Sequence, residues 1–349
     1  MREDRRQSPS PCARGSCRCA VGQRRSGRGW AARIGLPPRV YVRDFAGLAN
    51  RIESLAVAYA ICEAGGHRLV LDWPELDVLQ IRDAEPGRPP WWRVPLCRTC
   101  PRLDSDRDLA GIARAASLEV RRFYGHAPSI RRQHASLRDR ISVREDIAAS
   151  IVDAFQQNAE GRPVVGMHLR RGDFRTAGGV PFDPSMHRHT AVPAWWFRDM
   201  MSTIRAQVPE VRFLAAVNGS LADFRDILDA EGVFTIGYRD SRSAIRAGHE
   251  ASIHPVADLF SLACCSAVLA TPGSSFSHLA VNSLGVRAVA IVPVMGARPG
   301  APRFAVLRAH GMQLEYWNSL SRTAVSAEGS LQREVTVPVT GWLQAGPSR

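Results

Sequence analysis

The chain contains no lysine, so all 46 of its basic residues are arginine. This excludes a P-loop kinase, whose phosphate-binding motif requires a lysine, and it reads as the Arg- and Ala-rich codon usage of a bacterial genome. Long apolar runs are missing too. No segment reaches the ~18 residues of a membrane helix, and no apolar stretch near the start is long enough for a signal peptide; no integral membrane span and a cytoplasmic location are expected. Helix-turn-helix, zinc-finger and RNA-binding signatures are also lacking. What is present is an ordinary globular composition, 45% hydrophobic and 23% charged over 349 residues, which is long enough for two domains.

The formal charge of +13 invites the reading of an Arg-rich nucleic-acid-binding protein, but the charge is unevenly placed. Residues 1–39 hold ten arginines against the two acids Glu3 and Asp4, a net of +8, so only +5 of the +13 falls on the rest. Residues 1–38 show no structural period and are expected to be a disordered Arg-rich tail. Gly27-Arg-Gly-Trp-Ala-Ala32 matches a dinucleotide fingerprint by letter, yet no strand precedes it, which argues against a dehydrogenase. The body of the chain needs an anion-binding task at most, and no specific nucleic acid is expected.

Cys97-Arg-Thr-Cys100 has zinc-site spacing, but no second ligand pair completes it, so the eight cysteines are read as reduced structural thiols and no metal is expected. His187-Arg-His189 likewise lacks further ligands and reads as a loop, and Asn218-Gly-Ser220 reads as a turn. Trp91-Trp92 and Trp195-Trp196 are attributed to packing as readily as to sugar stacking.

Short apolar runs alternate with helical patterns, which predicts an α/β fold. Residues 39–155 start with a strand at Arg39–Arg43, a long helix closed by Gly65-Gly66 and a strand at His67–Asp72; beyond Trp73 the pattern loosens. In residues 156–320 strands are expected at Arg162–His168, Val211–Val217, Val233–Ile236, Ala267–Ala270 and Val286–Val292. Helices are expected after Pro193 and over Leu221–Ala230, Ala257–Cys264 and Ser275–Leu284. Residues 321–349 read as a C-terminal tail.

Three segments concentrate polar chemistry. Val164-Val-Gly-Met-His-Leu-Arg-Arg-Gly-Asp173 runs an apolar strand into His168, Arg170, Arg171 and Asp173, at the carboxyl end where open α/β sheets bind ligands. Guanidinium groups there suit a diphosphate, because their forked donors meet phosphate oxygens and stay charged. A strand-end ion pair between Arg171 and Asp173 would explain the same letters. Thr271-Pro-Gly-Ser-Ser275 follows the strand at Ala267–Ala270 and opens a helix, a place that favours an anion but also suits a plain serine N-cap. Gly47-Leu-Ala-Asn50-Arg51 is a glycine loop before the first helix, where Asn50 could serve equally as a cap.

In this order and at this separation the three segments resemble the fucosyltransferase superfamily of α1,2-, α1,6- and protein O-fucosyltransferases. His168-Leu-Arg-Arg-Gly-Asp173 is similar to its His-x-Arg-Arg-x-Asp motif, Asp258 with Ser274-Ser275-Phe276 to its acidic helix and serine turn, and Gly47–Arg51 to its glycine and asparagine loop. The resemblance implies a GT-B-like arrangement, two Rossmann-like domains with a cleft between them, the C-terminal one holding GDP-fucose. A glycan or other hydroxyl acceptor would approach from the cleft.

Carried over by position, the resemblance implies Arg170 on the β-phosphate, His168 and Arg171 beside the nucleotide, Asp258 on the guanine edge, Ser274, Ser275 and Phe276 at the phosphate-side turn, and Asn50 facing the reaction centre. Asn218 stands where some members carry an acidic pair. The glutamate that serves as base in the α1,6 branch has no counterpart in Thr176-Ala-Gly-Gly179, so Asp173 is the expected base and Asp183 the second choice. With arginines in place of a metal ion, and with no Asp-x-Asp pair read as a magnesium clamp beside the diphosphate, inverting transfer without metal or other cofactor is expected. A non-catalytic nucleotide-sugar-binding protein is the alternative.

Overall fold

The computed structural model describes residues 37–91, 94, 97–121, 125–171, 174–176, 181–184, 189–236, 254–285, 289–308 and 331. The expected tails lie almost wholly outside these residues, and so does Asp173.

The first half builds one parallel sheet. β1 (Arg39–Arg43) leads into α1 (Leu48–Gly65) and β2 (Arg68–Asp72), followed by β3 (Leu79–Ile81), β4 (Ala84–Pro86) and β5 (Arg98–Thr99). Next come α2 (Asp106–Ile112), β6 (Ser117–Glu119), α3 (Pro128–Ala135), β7 (Ile141–Val143) and α4 (Glu145–Ala159). The sheet order is β4-β2-β1-β6-β5, and β3 pairs apart with β7. α1 ends where Gly66 takes φ +65°, a left-handed conformation that glycine adopts without cost, and its N–H bonds to Cys62 O. From Leu48 to Ile61 every residue of α1 except Asn50 is buried. The helix is buried on all sides because β1 covers one face while α2, α3 and a helix of the second half cover the others.

The second half contains β8 (Val164–Arg170), the short pair β9 (Arg175–Thr176) and β10 (Thr190–Ala191), α5 (Ala194–Gln207), β11 (Arg212–Asn218), α6 (Arg225–Leu228) and β12 (Val233–Phe234). α7 (Pro255–Ala263), β13 (Ala267–Leu269), α8 (Ser275–Leu279), β14 (Val289–Pro293) and β15 (Phe304–Arg308) complete it. A π-helical turn, Ala280–Leu284, continues α8. The sheet runs β12-β11-β8-β13-β14-β15, parallel except for β15. Counted within this half the order is 3-2-1-4-5-6, that of a dinucleotide-type doubly wound sheet, whose direction of winding reverses between β8 and β13.

Alternation along β8 sorts its side chains onto the two faces. Val165, Met167 and Leu169 join a core with α5 and β11. Val164 belongs to a second core that also takes in Val40 and Val42 of β1, Ile52 and Leu55 of α1, Phe260 of α7 and Leu279 of α8. One apolar cluster therefore passes from the first sheet to the second. Gly166 lies on this second face, where a Cβ would come within 2.7 Å of Leu262 Cδ2, so glycine lets α7 approach the strand closely. Phe155 of α4 meets Phe234 edge-on at 5.7 Å, tying that helix to the second half.

Two predicted helices take a tighter or looser form than expected. Leu221–Phe224 is a 3-10 turn before α6, and the helix after Ser275 relaxes into its π turn after one and a half turns. The strand at Arg162–His168 starts later and runs on through Arg170, which puts the arginine inside the sheet.

Candidate functional site

The reversal of winding between β8 and β13 places two chain segments side by side at the strands' carboxyl ends. Arg170 is the last residue of β8 and pairs in register with Asn218, the last residue of β11. Across the reversal, β13 gives way to Thr271-Pro-Gly-Ser, where Gly273 at φ +77° supplies the left-handed turn that leads into α8. Thr271 Oγ1 donates to His168 O at 2.8 Å and Ser266 Oγ donates to Val164 O at 2.8 Å, so the turn is fastened to β8 at both ends of β13.

The side chains on this face converge. Arg170 Nη1 donates to Ser274 Oγ at 3.3 Å, and its guanidinium lies 4.4 Å from the centre of the Phe174 ring. Ser274 is the N-cap residue of α8, yet its side chain makes no capping bond; it meets Arg170 instead of acting as a plain cap. His168 stacks on Phe276 at 5.0 Å and bonds through Nδ1 to Ser277 Oγ at 2.6 Å. Thr271 N–H donates to that same oxygen at 3.2 Å, so Ser277 ties the ring to the turn after β13. Burial first, and the neighbouring Arg170 charge second, hold the His168 pKa well below its ordinary value, so the ring is neutral.

His168, Arg170, Ala216, Val217, Asn218, Pro255, Asp258 and Phe276 line a common pocket. Asp258 reaches it from the first turn of α7, and burial raises its carboxyl well above the usual carboxylate range. The helix that carries it is capped by His254, whose Nδ1 accepts from Val256 N at 3.2 Å and Ala257 N at 3.3 Å. Burial lowers the His254 pKa to about 4, which keeps that nitrogen available as an acceptor.

Other expected residues stand elsewhere. Arg171 points to the opposite face, 5.7 Å from the Phe224 ring, while its N–H donates to Asn218 O at 2.8 Å; the two arginines are not one fork, as the alternation of a strand requires. Ser275 opens α8 beside Ser274, half-buried and outside the pocket lining. Asn50 is not a cap: Gly47 holds that position, and Asn50 sits in the first turn of α1, where its carbonyl accepts from Ser54 Oγ at 2.7 Å. Asp183 is half-buried and does not line the pocket. Arg51, beside Asn50, is buried against Glu75 at 2.5 Å and also bonds to Asp44.

The Asp-x-Asp spacing does occur, twice over, at Asp104, Asp106 and Asp108, contrary to the expectation. All three are used locally around α2. Asp108 forms a capping box with Ser105, Asp106 accepts from Ser129 N at 3.1 Å, and Asp104 accepts from Arg102 at 2.8 Å. Cys62 and Cys264 are free thiols pushed up to about 12 by burial, which makes them inert. Trp196 is fully buried and donates to Arg303 O at 3.2 Å, a packing role, whereas Trp91 is 85% exposed. Among the described residues no helix is long and apolar enough to cross a membrane.

No protein-family model matches the chain, and no curated protein matches it. Solved structures similar to it in outline include the fucosyltransferase NodZ from Bradyrhizobium, at 18% identity and a TM-score of 0.46, covering 73% of this chain and 96% of that one. An Arabidopsis thaliana FUT1 mutant in complex with GDP aligns at 12% identity and a TM-score of 0.49, over 80% of this chain and 77% of the other. POFUT1 in complex with GDP-fucose aligns at 10% identity and 0.43, over 70% and 93%.

Proposed function

We propose that the chain is a glycosyltransferase that takes fucose from GDP-fucose and passes it, with inversion, to a hydroxyl of a glycan or other acceptor. The observation that carries this reading is the meeting of Arg170 with Ser274 across the reversal point of the sheet, at the mouth of a pocket that also holds Asp258. Ligands of doubly wound sheets bind at that point. His168, Arg170, Ser274 and Phe276, from the motifs that resemble the fucosyltransferase superfamily, gather there.

Cleavage of the bond from the sugar carbon to the β-phosphate oxygen puts negative charge on the departing GDP. A fixed guanidinium aimed at that oxygen stabilises the charge as it develops, with the Ser274 hydroxyl holding the guanidinium in place. Neutral His168 can hydrogen-bond the nucleotide without adding to the local charge. Asp258, buried and reluctant to ionise alone, gains two donors when guanine presents its N–H groups, and this selects guanine over uracil. Arginine in the place of a metal ion makes the transfer itself metal-independent. The catalytic base is Asp173 on this reading, supported by its position in the motif, with a cytoplasmic site of action.

The test is a thermal-shift panel of GDP, UDP, ADP and GDP-sugars, followed by assay of GDP release from GDP-fucose with and without hydroxyl acceptors. GDP and GDP-fucose should stabilise the chain by mass action while UDP and ADP do not. Stabilisation without any GDP release would identify a nucleotide-sugar-binding protein instead, and equal response to all nucleotides would overturn the reading.

A further inference from the structure

A second polar cluster lies where the two halves meet, built from residues far apart in sequence. Glu53 of α1, His134 near the end of α3 and His278 of α8 bring one carboxylate oxygen and two ring nitrogens within 4.8 Å of one another. Glu53 Oε1 lies 2.6 Å from His278 Nδ1 and 4.0 Å from His134 Nε2. The Glu53 and His278 side chains are 3% and 4% exposed, that of His134 18%.

We propose that Glu53, His134 and His278 form a site for one divalent transition-metal ion of the zinc class, which fastens α1 and α3 to α8. The donor set is two imidazoles and a carboxylate, which suits such an ion and leaves a fourth position for water. At metal-to-ligand distances of about 2.0–2.2 Å, tetrahedral ligands stand about 3.3 Å apart. The observed 2.6 and 4.0 Å fall on either side of that separation.

Polar side chains also flank both imidazoles. Ser283 Oγ lies 3.1 Å from His134 Nδ1 and 3.2 Å from its Nε2, and the Asn282 amide lies 3.3 Å from His278 Nε2, where its oxygen, once turned toward the ring, would accept the Nε2 proton of a metal-bound His278. Such partners orient metal-bound histidines. A buried carboxylate needs a compensating cation, and an ion here neutralises Glu53 without requiring either imidazole to be protonated. His278 N–H donates to Ser274 O at 3.1 Å, so the ion would brace the turn that meets Arg170 from one helical turn below, away from the pocket. The inference holds whatever the pocket binds.

The experiment uses the full chain, stripped by a chelator and titrated with Zn²⁺ while metal content and unfolding midpoint are followed. One ion per chain should bind and raise the midpoint, and His134→Ala, which alters the most exposed ligand, should weaken binding at least tenfold. Because the chain has eight cysteines, Co²⁺-loaded wild type serves as a second readout, independent of any variant's folding. Tetrahedral visible bands without thiolate-to-metal charge transfer support the site. A strong thiolate band, equal affinity in a folded His134→Ala, or no saturable binding to wild type would each overturn it and leave a proton shared between Glu53 and His278.

Discussion

The central strands of the two sheets both end on an arginine, and the two ends are wired differently. At the end of β1, Arg43 grips Glu119 at 2.6 Å, and Arg121 meets the same carboxylate at 2.9 Å. One turn into α1, Arg51 is buried against Glu75 and Asp44. At the end of β8, Arg170 meets a serine hydroxyl and the face of Phe174 and lines a pocket. The same side chain thus meets the protein's own acids in one half and lines a pocket in the other. Counting arginines could not separate these roles; the partner at the far end of each side chain does.

Replacing one arginine in each half should break the symmetry of the comparison. Arg51→Ala leaves Glu75 buried without its cation, and should destabilise the fold by about 3–5 kcal/mol, measured by urea denaturation, with any remaining folded enzyme still active. Arg170→Ala should do the reverse. The unfolding midpoint stays near wild type while transfer slows by about a hundred- to thousandfold, or ~2.7–4 kcal/mol in the barrier. If both variants lose stability alike, Arg170 is a structural residue and the contrast between the halves disappears.

Smaller changes sharpen the picture. Ser274→Ala removes a hydrogen bond to a charged group, worth about 1.5–3 kcal/mol, and should lower the rate less than Arg170→Ala with no additivity in the double variant. GDP binding should strengthen as pH rises, by at most about tenfold per pH unit, because the raised Asp258 carboxyl must lose its proton to accept guanine donors. Titration calorimetry checks this, and Asp258→Asn should flatten the dependence. A separate effect, on stability and not on binding, concerns His254. Its folded pKa of about 4 lies below the ordinary histidine value, so the unfolded chain takes up a proton first and stability falls as pH drops from about 6.5 to about 4. His254→Asn, which keeps an acceptor at the cap, should remove that slope.

The same contrast governs what could be read in advance. β8, β11, α7 and β13 announce themselves as apolar runs of ordinary length with turn residues at their ends, whereas the order of the strands was not readable and the pairing of Arg170 with Ser274 came from the family resemblance, not from spacing. In the first half β4, β5, β6 and β7 are two or three residues long, too short for any period to show, and their Arg- and Pro-rich flanks obscured them. That Arg170 and Arg171 face opposite ways was readable, since neighbours on a strand alternate. His254 as a cap was not, because its acceptor role depends on burial keeping the ring neutral. Nor was the Glu53, His134 and His278 cluster. Those positions lie 81 and 144 residues apart in sequence, and each looks like an isolated polar residue within a helix until the helices pack.

The claim at the centre is that Arg170 receives the diphosphate. Calorimetric affinities of GDP and of guanosine, each for wild type and Arg170→Ala, test it most directly. The account predicts that the substitution weakens GDP by tenfold or more and leaves guanosine within about twofold, since only GDP carries the charge the guanidinium meets. Equal losses for both ligands, or none for GDP, would contradict it.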